Sequence, residues 1–336
     1  MDRVAKEEFS SEIQQKGLRR FFEGIYHCFP VAEGFQNWVF CVTVFDKKYA
    51  LRFTHFSHRS IEEIVAELDW IKFLRTNDIK AVDIQCSIEG NIAEKIETKT
   101  GYYSVVCFEW APGRHMHPSE YNQPLVQRWG EVVGLLHKIS QAYNPPQYQR
   151  PFWYDEDNFD AKEFLSRRPE KRLRENYDRL VDRIREIPVS QSSFGLIHSD
   201  IHQNNFHVHD GDIILFDFDG CFFSWFNHDL AVLLYDLYES NIRYREHQNE
   251  FADFLNPFFN GYKINMSWSP EIYDEIDLFI RLEAFGRLML FERSREIPNI
   301  NGNLHEYITY LRYVLENNYP LFPTNLKLLM HEFSKC

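Results

Sequence analysis

The feature that most constrains this chain is a strand-forming island inside a largely helical stretch, residues Phe194 to Asp219, which contains HSDIHQNNF followed by HVHDGDIILFDFDG. Two alternating segments meet at Asp210-Gly211-Asp212, a strong hairpin signal. A three-residue loop with Gly211 in the left-handed region pairs Asn205 directly with Asp217, whereas a two-residue turn makes them diagonal neighbours. In the first register Phe206, Val208, Ile214, Phe216 and Phe218 share a buried face, and Asn205, Asp217 and Asp219 share the other. An amide oxygen beside carboxylates is a hard-oxygen donor set suited to Mg2+, which fills its shell with water and phosphate oxygens. Asp200, five residues before Asn205, stands where it can take a proton from a hydroxyl near that ion. Such a constellation suits phosphoryl transfer.

The amino-terminal third reads as a small sheet. Val39 to Phe45 and YALRF form a hairpin around DKK, and further strand signals lie around Ile92 and at Tyr102 to Trp110. Between them, SIEEIVAELDWIKFL carries Ser60 and Glu63 at capping-box spacing and Ile61, Ile64, Leu68 and Ile71 at helical intervals, which predicts one helix packed on the sheet. Glu67 borders that apolar stripe. A carboxylate there needs a cation, and Arg52 is available; the alternative is that Glu67 faces solvent and Arg52 lies on the surface.

Ala111-Pro112-Gly113 ends the strand-rich region, and helical periodicity follows. Leu125, Trp129, Val132, Val133 and Leu136 form one stripe, and further helices are expected at Pro169 to Ile187, His228 to Glu239, Glu271 to Arg295 and Leu304 to Asn318. The expected fold is α+β in two lobes. Residues 1–110 form a small antiparallel sheet lobe with one packed helix, and residues 111–336 form a larger, mainly helical lobe.

The 336 residues supply 44% hydrophobic content, enough for two subdomain cores. With 37 Lys and Arg against 50 Asp and Glu, the net charge of −13 argues against nucleic-acid and anionic-membrane partners. Six cysteines without C-x-x-C spacing, an amino terminus without a signal-peptide core and no apolar run of membrane length give a cytoplasmic setting as the expectation.

The pattern H-x-D-x-H-x-x-N followed by D-F-D, formed by His198, Asp200, His202, Asn205 and Asp217-Phe218-Asp219, resembles the aminoglycoside phosphotransferase and choline kinase superfamily, which has the bilobal protein-kinase-like fold. The resemblance runs roughly from Ala32 to Tyr235. It includes Asn37, YALRF, Glu67, FEWAPG between the lobes, GLLHK and Asp229-Leu230-Ala231. It implies an ATP- and Mg2+-dependent phosphotransferase with a nucleotide-binding first lobe and a catalytic and substrate second lobe. By this resemblance Asp200 is the catalytic base, and Asn205 and Asp217 bind the metal, with Asp219 beside them. Arg52 contacts phosphates and pairs with Glu67, Asn37 lies in the first turn, and Cys107, Phe108, Glu109, Trp110 and Ala111 flank adenine. Asp229 is then a buried brace for the catalytic loop. Three departures stand out: AEGFQNWVF has one glycine, Arg52 replaces the Lys of aminoglycoside kinases, and Ser199 replaces a common Gly. Arginine is a planar fork rather than a point charge, so that exchange is not neutral.

Duller readings compete with these. His198, His202, His207 and His209 with Asp200 and Asp210 could form a transition-metal cluster, which leaves DFD and Glu67 unexplained. His207 and His209 read more simply as solvent-side strand residues. His198 is expected to shape the loop through backbone hydrogen bonds, and His202 either approaches the terminal phosphate or packs the loop. RRPEKRLREN reads as a solvated helix face, WYDEDNFD as a cation-attracting or merely acidic surface. CFFSWF reads as core, with Trp225 the candidate to line a pocket. The leading expectation is a kinase for a small-molecule hydroxyl, an amine-bearing one being compatible with the negative charge. A Ser/Thr protein kinase and an inactive nucleotide-binding scaffold are the alternatives. Oligomeric state is not readable from the sequence.

Overall fold

Helices α1 (Arg3–Glu8) and α2 (Ser11–Phe21) precede strand β1 (His27–Glu33), which pairs with β2 (Asn37–Val44). In this computed structural model the described residues are 3–33, 36–117, 123–155, 164–165, 170–244, 250–267, 272–294 and 302–321. Strand β3 (Lys47–His55) returns from β2 through the two-residue turn Phe45-Asp46, with Phe45 at φ 52°. Strands β4 (Ile84–Gln85), β5 (Glu94–Glu97) and β6 (Tyr102–Glu109) complete an antiparallel sheet of order β1-β2-β3-β6-β4, with β5 also paired to β6. The strand signal around Ile92 thus materialises slightly later, as β5.

Helix α3 (Ile61–Thr76) starts where the capping box places it: Glu63 N–H donates to Ser60 Oγ at 3.2 Å and Ser60 N–H to Glu63 Oε2 at 2.8 Å. It is not the only helix on the sheet. Leu18, Phe21 and Phe22, in and just after α2, join Phe40, Val42, Leu51, Phe53 and Val105 in one buried cluster, so the expectation of a single packed helix is corrected to two. The buried stripe of SEIQQKGLRRF is only Ile13, Gly17, Leu18 and Phe21, too narrow to outweigh its polar residues in a pattern reading. Each large side chain buried there contributes on the order of 1.5–3 kcal/mol.

The contacts divide the chain into two units: a sheet unit of residues 1–115, 143–150 and 206–219, and a helical unit of residues 116–142, 151–205 and 220–336. The sequence reading places a single division at 110/111. In the sheet unit β8 (Phe206–His209) and β9 (Asp212–Leu215) form a hairpin whose Leu215 exchanges backbone bonds with Lys80 and Val82. Pairing of Phe206 with Leu215 and His209 with Asp212 leaves a two-residue turn, Asp210-Gly211, with φ 50° and 76°. Two successive positive φ values define the I′-type turn that matches strand twist. The second of the two expected registers is therefore the real one: Phe206, Val208, Ile213 and Leu215 share one face, on which all but the half-buried Val208 are buried, and Ile214 lies on the other, where it is buried beside His207. His207 on the other face is buried, correcting its reading as a solvent-side residue; its Nδ1 donates to Ala111 O at 2.9 Å.

The helical unit contains α4 (Gln123–Ser140), α5 (Lys171–Arg185), α6 (Phe226–Tyr244), α7 (Glu250–Tyr262), α8 (Ile272–Ser294) and α9 (Gly302–Glu316), with β7 (Phe194–Ile197) antiparallel to β10 (Phe222–Trp225). Four helices fall within a few residues of their sequence signals. Helix α7 has no counterpart in the sequence reading, because Pro257 inside it reads as a breaker. Trp225 is buried and donates from Nε1 to Pro188 O at 3.1 Å, a core position rather than a pocket lining. No helix among the described residues is long and apolar enough to cross a membrane.

Candidate active site

The loop after β7 owes its shape to one buried carboxylate. Asp229, in the first turn of α6, has no exposed surface and accepts from His198 N–H at 3.0 Å and Ser199 N–H at 2.7 Å. Burial opposes its charge, yet its hydrogen bond with His137 and the loop amides hold its pKa below the ordinary value. Ser199 adopts φ 64°, a region that favours glycine, and its Oγ donates to Gly220 O at 2.6 Å. The next residue, Asp200, emerges from this strained point with its side chain 41% exposed.

Two side chains close on Asp200. His202 Nε2 lies 3.1 Å from its Oδ1, and Asn205 Nδ2 donates to its Oδ2 at 2.8 Å and to its backbone oxygen at 2.9 Å. Burial works against both charges, but the His202 charge and hydrogen bond, with help from Arg287, bring Asp200 down to about 2. In return, Asp200 and Asp236 push His202 up to about 9 against its own desolvation. At neutral pH the two form an ion pair, so Asp200 stays an acceptor-only carboxylate. His198 is fully buried beneath this loop.

In the sheet unit Arg52 of β3 and Glu67 of α3 form a bidentate pair at 2.9 and 2.7 Å, both buried, which settles the open question about their partnership. Arg52 Nη1 is also 4.0 Å from Asp219 Oδ1, and its Cζ lies 5.5 Å from the Phe108 ring centroid. Asp219 is buried. Its Oδ2 accepts from Asn37 Nδ2 at 2.9 Å and lies 2.8 Å from His58 Nε2, while Thr54 Oγ1 fixes the amide of Asn37 by donating to its Oδ1 at 2.7 Å. Burial opposes the Asp219 charge, but His58, Arg52 and Arg59 hold the carboxyl well below its usual range. Arg150, also buried, donates to Asp219 O at 2.6 Å. His58, Thr54 and Arg150 carry no sequence motif; the burial of Thr54 and Arg150 and the contact of His58 with Asp219 reveal them.

Asp217, two residues before, is exposed and adopts φ 60°, the second strained non-glycine backbone beside these motifs. Phe218 between the two aspartates anchors the segment, edge-on to Trp70 with centroids 5.5 Å apart. Asn205 immediately precedes β8 and Asp217 follows β9 by two residues, so both belong to the open end of the hairpin. At the end of β6, Cys107, Phe108 and Ala111 are buried, Trp110 is partly so and Glu109 is exposed. Burial pushes the Cys107 thiol up, which keeps it protonated and inert.

No group of three or more His, Cys, Asp and Glu side chains among the described residues gathers to hold a metal ion. His207 instead bonds Ala111, and His209 faces Asp210 at 3.4 Å, so the histidine-cluster reading loses its members. Gly34 and Phe35 of AEGFQNWVF, residues 156–160 of WYDEDNFD and residues 167–169 of the basic run lie outside the described residues.

These two sets of side chains, a sheet unit with a buried Arg–Glu pair and a helical unit with a braced aspartate loop, define a kinase-type scaffold. The chain belongs to the phosphotransferase enzyme family, whose sequence model matches residues 27–268. It is 26% identical over 292 residues to amicoumacin kinase of Bacillus subtilis (strain 168), covering 85% of this chain and 86% of that protein. Among solved structures it is similar to an amicoumacin kinase in complex with AMP-PNP, Ca2+ and Ami, with TM-score 0.87, 25% identity and coverage of 96% of this chain and 98% of that one. A microcompartment-associated aminopropanol kinase shares the fold at TM-score 0.71 and 20% identity, over 91% of this chain and 95% of that one.

Proposed function

We propose that this protein transfers the γ-phosphate of ATP to a hydroxyl of a small molecule that carries a protonated amine. The observation that carries the reading is Asp200: a half-exposed, ionised carboxylate on a loop whose backbone is held by a buried aspartate. Such a group orients an acceptor hydroxyl and receives its proton as the P–O bond forms. His198 shapes that loop from beneath. His202, held as imidazolium, keeps Asp200 ionised.

Two residues each offer oxygen donors of the kind a divalent ion takes. Asn205 commits its Nδ2 to Asp200, which leaves its Oδ1 as a hard ligand, and Asp217 offers an exposed carboxylate. Asp219 has Oδ2 engaged by two donors, so it gives a cation at most its Oδ1, which is buried without a hydrogen-bond partner. Its main duty is to anchor the strained Asp217. When bound, the ion neutralises charge on the phosphates; Mg2+ with ATP is the pairing that the neighbour's AMP-PNP and Ca2+ support. Arg52, fixed by Glu67, supplies a phosphate-facing cation. Residues 107–111 flank the adenine.

The amine in the acceptor follows from charge and relatives together. Asp236 stands seven residues after Asp229 on α6, hence on the same helix face, and its carboxyl is raised by burial beside Asp200 and His202. An ammonium group there relieves the cost of that desolvated carboxylate. The named relatives, an amicoumacin kinase and an aminopropanol kinase, support a small-molecule acceptor over a protein substrate. The five cysteines among the described residues are all free, and with dependence on ATP they support a cytoplasmic setting. The test is phosphorylation of a panel of amino alcohols, with alcohols lacking the amine as controls, by the wild type and by Asp200→Asn. Transfer by both enzymes alike, or by neither, overturns the reading.

A further inference from the structure

The brace on the Asp200 loop extends two side chains beyond Asp229. His137, on α4, lies with Nε2 3.1 Å from Asp229 Oδ2, and its Nδ1 is 2.9 Å from the hydroxyl of Tyr262, the last residue of α7. All three side chains are buried, and the imidazole stacks on Phe226 with centroids 4.8 Å apart and planes at 21°.

The chemistry of the two ends fixes the direction of both bonds. Asp229, its pKa held down, is acceptor-only; burial and the nearby Asp229 charge push the Tyr262 phenol up, so it keeps its O–H. For a neutral imidazole one tautomer satisfies both neighbours: Nε2–H donates to Asp229 and Nδ1 accepts from Tyr262. The tyrosine therefore selects the tautomer that presents a donor to Asp229. Without that hydroxyl the imidazole has no partner for Nδ1 in a dry core, and its orientation is less determined.

Three glycines explain how a side chain on α7 reaches α4. A Cβ on Gly130 would lie 1.8 Å from Phe258 O, one on Gly261 1.9 Å from Gln127 O, and one on Gly134 2.6 Å from Tyr262 O. The two helix backbones touch, at positions where glycine costs each helix about 0.5–1 kcal/mol relative to alanine. His137 follows Gly134 by three residues, on the same face of α4, so this close approach is what brings it to Tyr262.

We propose that Tyr262 and His137 are positioning residues for phosphoryl transfer: through Asp229 they set the backbone at His198 and Ser199, and so the aim of Asp200. The inference rests on the reading of Asp200 as the residue that orients the acceptor hydroxyl. Neither side chain touches the reacting atoms.

The test compares wild type, Tyr262→Phe, His137→Leu, His137→Gln and Asp200→Asn in the full chain. Turnover is read with magnesium-ATP and 1-amino-2-propanol, or with water as acceptor if that alcohol is not taken. Exchange at the amides of residues 198–199 is read by hydrogen-exchange mass spectrometry. Tyr262→Phe, which removes one oxygen, is expected to lower kcat about tenfold with KM for ATP unchanged, the scale of a sub-ångström misalignment. It also speeds exchange at those two amides while the peptides of α8 keep their protection. His137→Gln, which keeps a donor for Asp229, retains more turnover than His137→Leu. Wild-type kcat and exchange in Tyr262→Phe, or equal losses in the Gln and Leu variants, overturn the proposal. If Asp200→Asn keeps wild-type turnover, it is the underlying reading of Asp200 that fails; if Asp200→Asn is dead while Tyr262→Phe is normal, only the positioning role fails.

Discussion

Both oxygens of Glu67 meet the guanidinium of Arg52, at 2.9 and 2.7 Å, in surroundings that leave neither side chain appreciable contact with water. Burial alone would weaken the Arg52 charge, but Glu67, with Asp219 and Asp217, raises its pKa further, so the cation is permanent. Removing one partner strands the other. Glu67→Ala is expected to cost about 3–5 kcal/mol of stability, because an uncompensated buried charge remains. Urea unfolding of the two proteins checks this; a midpoint unchanged within error refutes it.

Arg52→Lys keeps the charge but not the fork. A lysine cannot match both carboxylate oxygens, so KM for ATP should rise severalfold while kcat changes less. Steady-state kinetics at varied ATP separates the two parameters.

The Asp200–His202 ion pair predicts a pH signature in stability. His202 is raised to about 9 in the folded chain, so its contribution is complete below its unfolded value of about 6.5 and disappears as pH climbs through about 9. Asp200 is lowered to about 2, so its contribution is present above about 3.9 and disappears only as pH falls through about 2. His202→Gln should therefore be less stable than wild type at pH 6 and close to it at pH 10. Denaturant midpoints at both pH values test the sign, and a gap that widens with pH contradicts the assignment.

Ser199 holds a left-handed backbone and one hydroxyl bond at once. Ser199→Ala loses the bond and keeps the strain, whereas Ser199→Gly loses the bond and relieves the strain. The glycine variant should be the more stable of the two by about 1 kcal/mol. Thermal unfolding of the pair decides; an alanine variant at least as stable as the glycine one shows that φ here is unstrained.

For the acceptor, Asp236→Asn should raise KM for an amino alcohol about tenfold and leave KM for ATP unchanged, since one charged hydrogen bond is worth about 1.5–3 kcal/mol. An equal effect on an alcohol without the amine removes Asp236 from amine recognition.

What was legible in the sequence was what rests on local periodicity. The β2–β3 hairpin, the capping box of α3 and the stripe of α4 each follow from side chains within one or two turns of each other. The motif residues Asp200, Asn205 and Asp217 stood out because a chain has no structural reason to concentrate such groups in a strand island, whereas Asp229, in the helix beyond it, was marked only by the family resemblance. Distant pairings did not stand out. His58 and Arg150 reach Asp219 across 161 and 69 residues, and no spacing rule encodes that. Helix α2 hid behind a narrow buried stripe, α7 behind an internal proline, and the β8–β9 register turned on one residue of loop length that pattern alone left undecided.

That loop length has a consequence for how this gene can vary. Because Asp210 and Gly211 alone close the hairpin, inserting or deleting a single residue there would turn every β9 side chain inside out and carry the aspartates beyond it along. Point substitutions at the tip remain open to drift, but changes in its length are confined to steps of two.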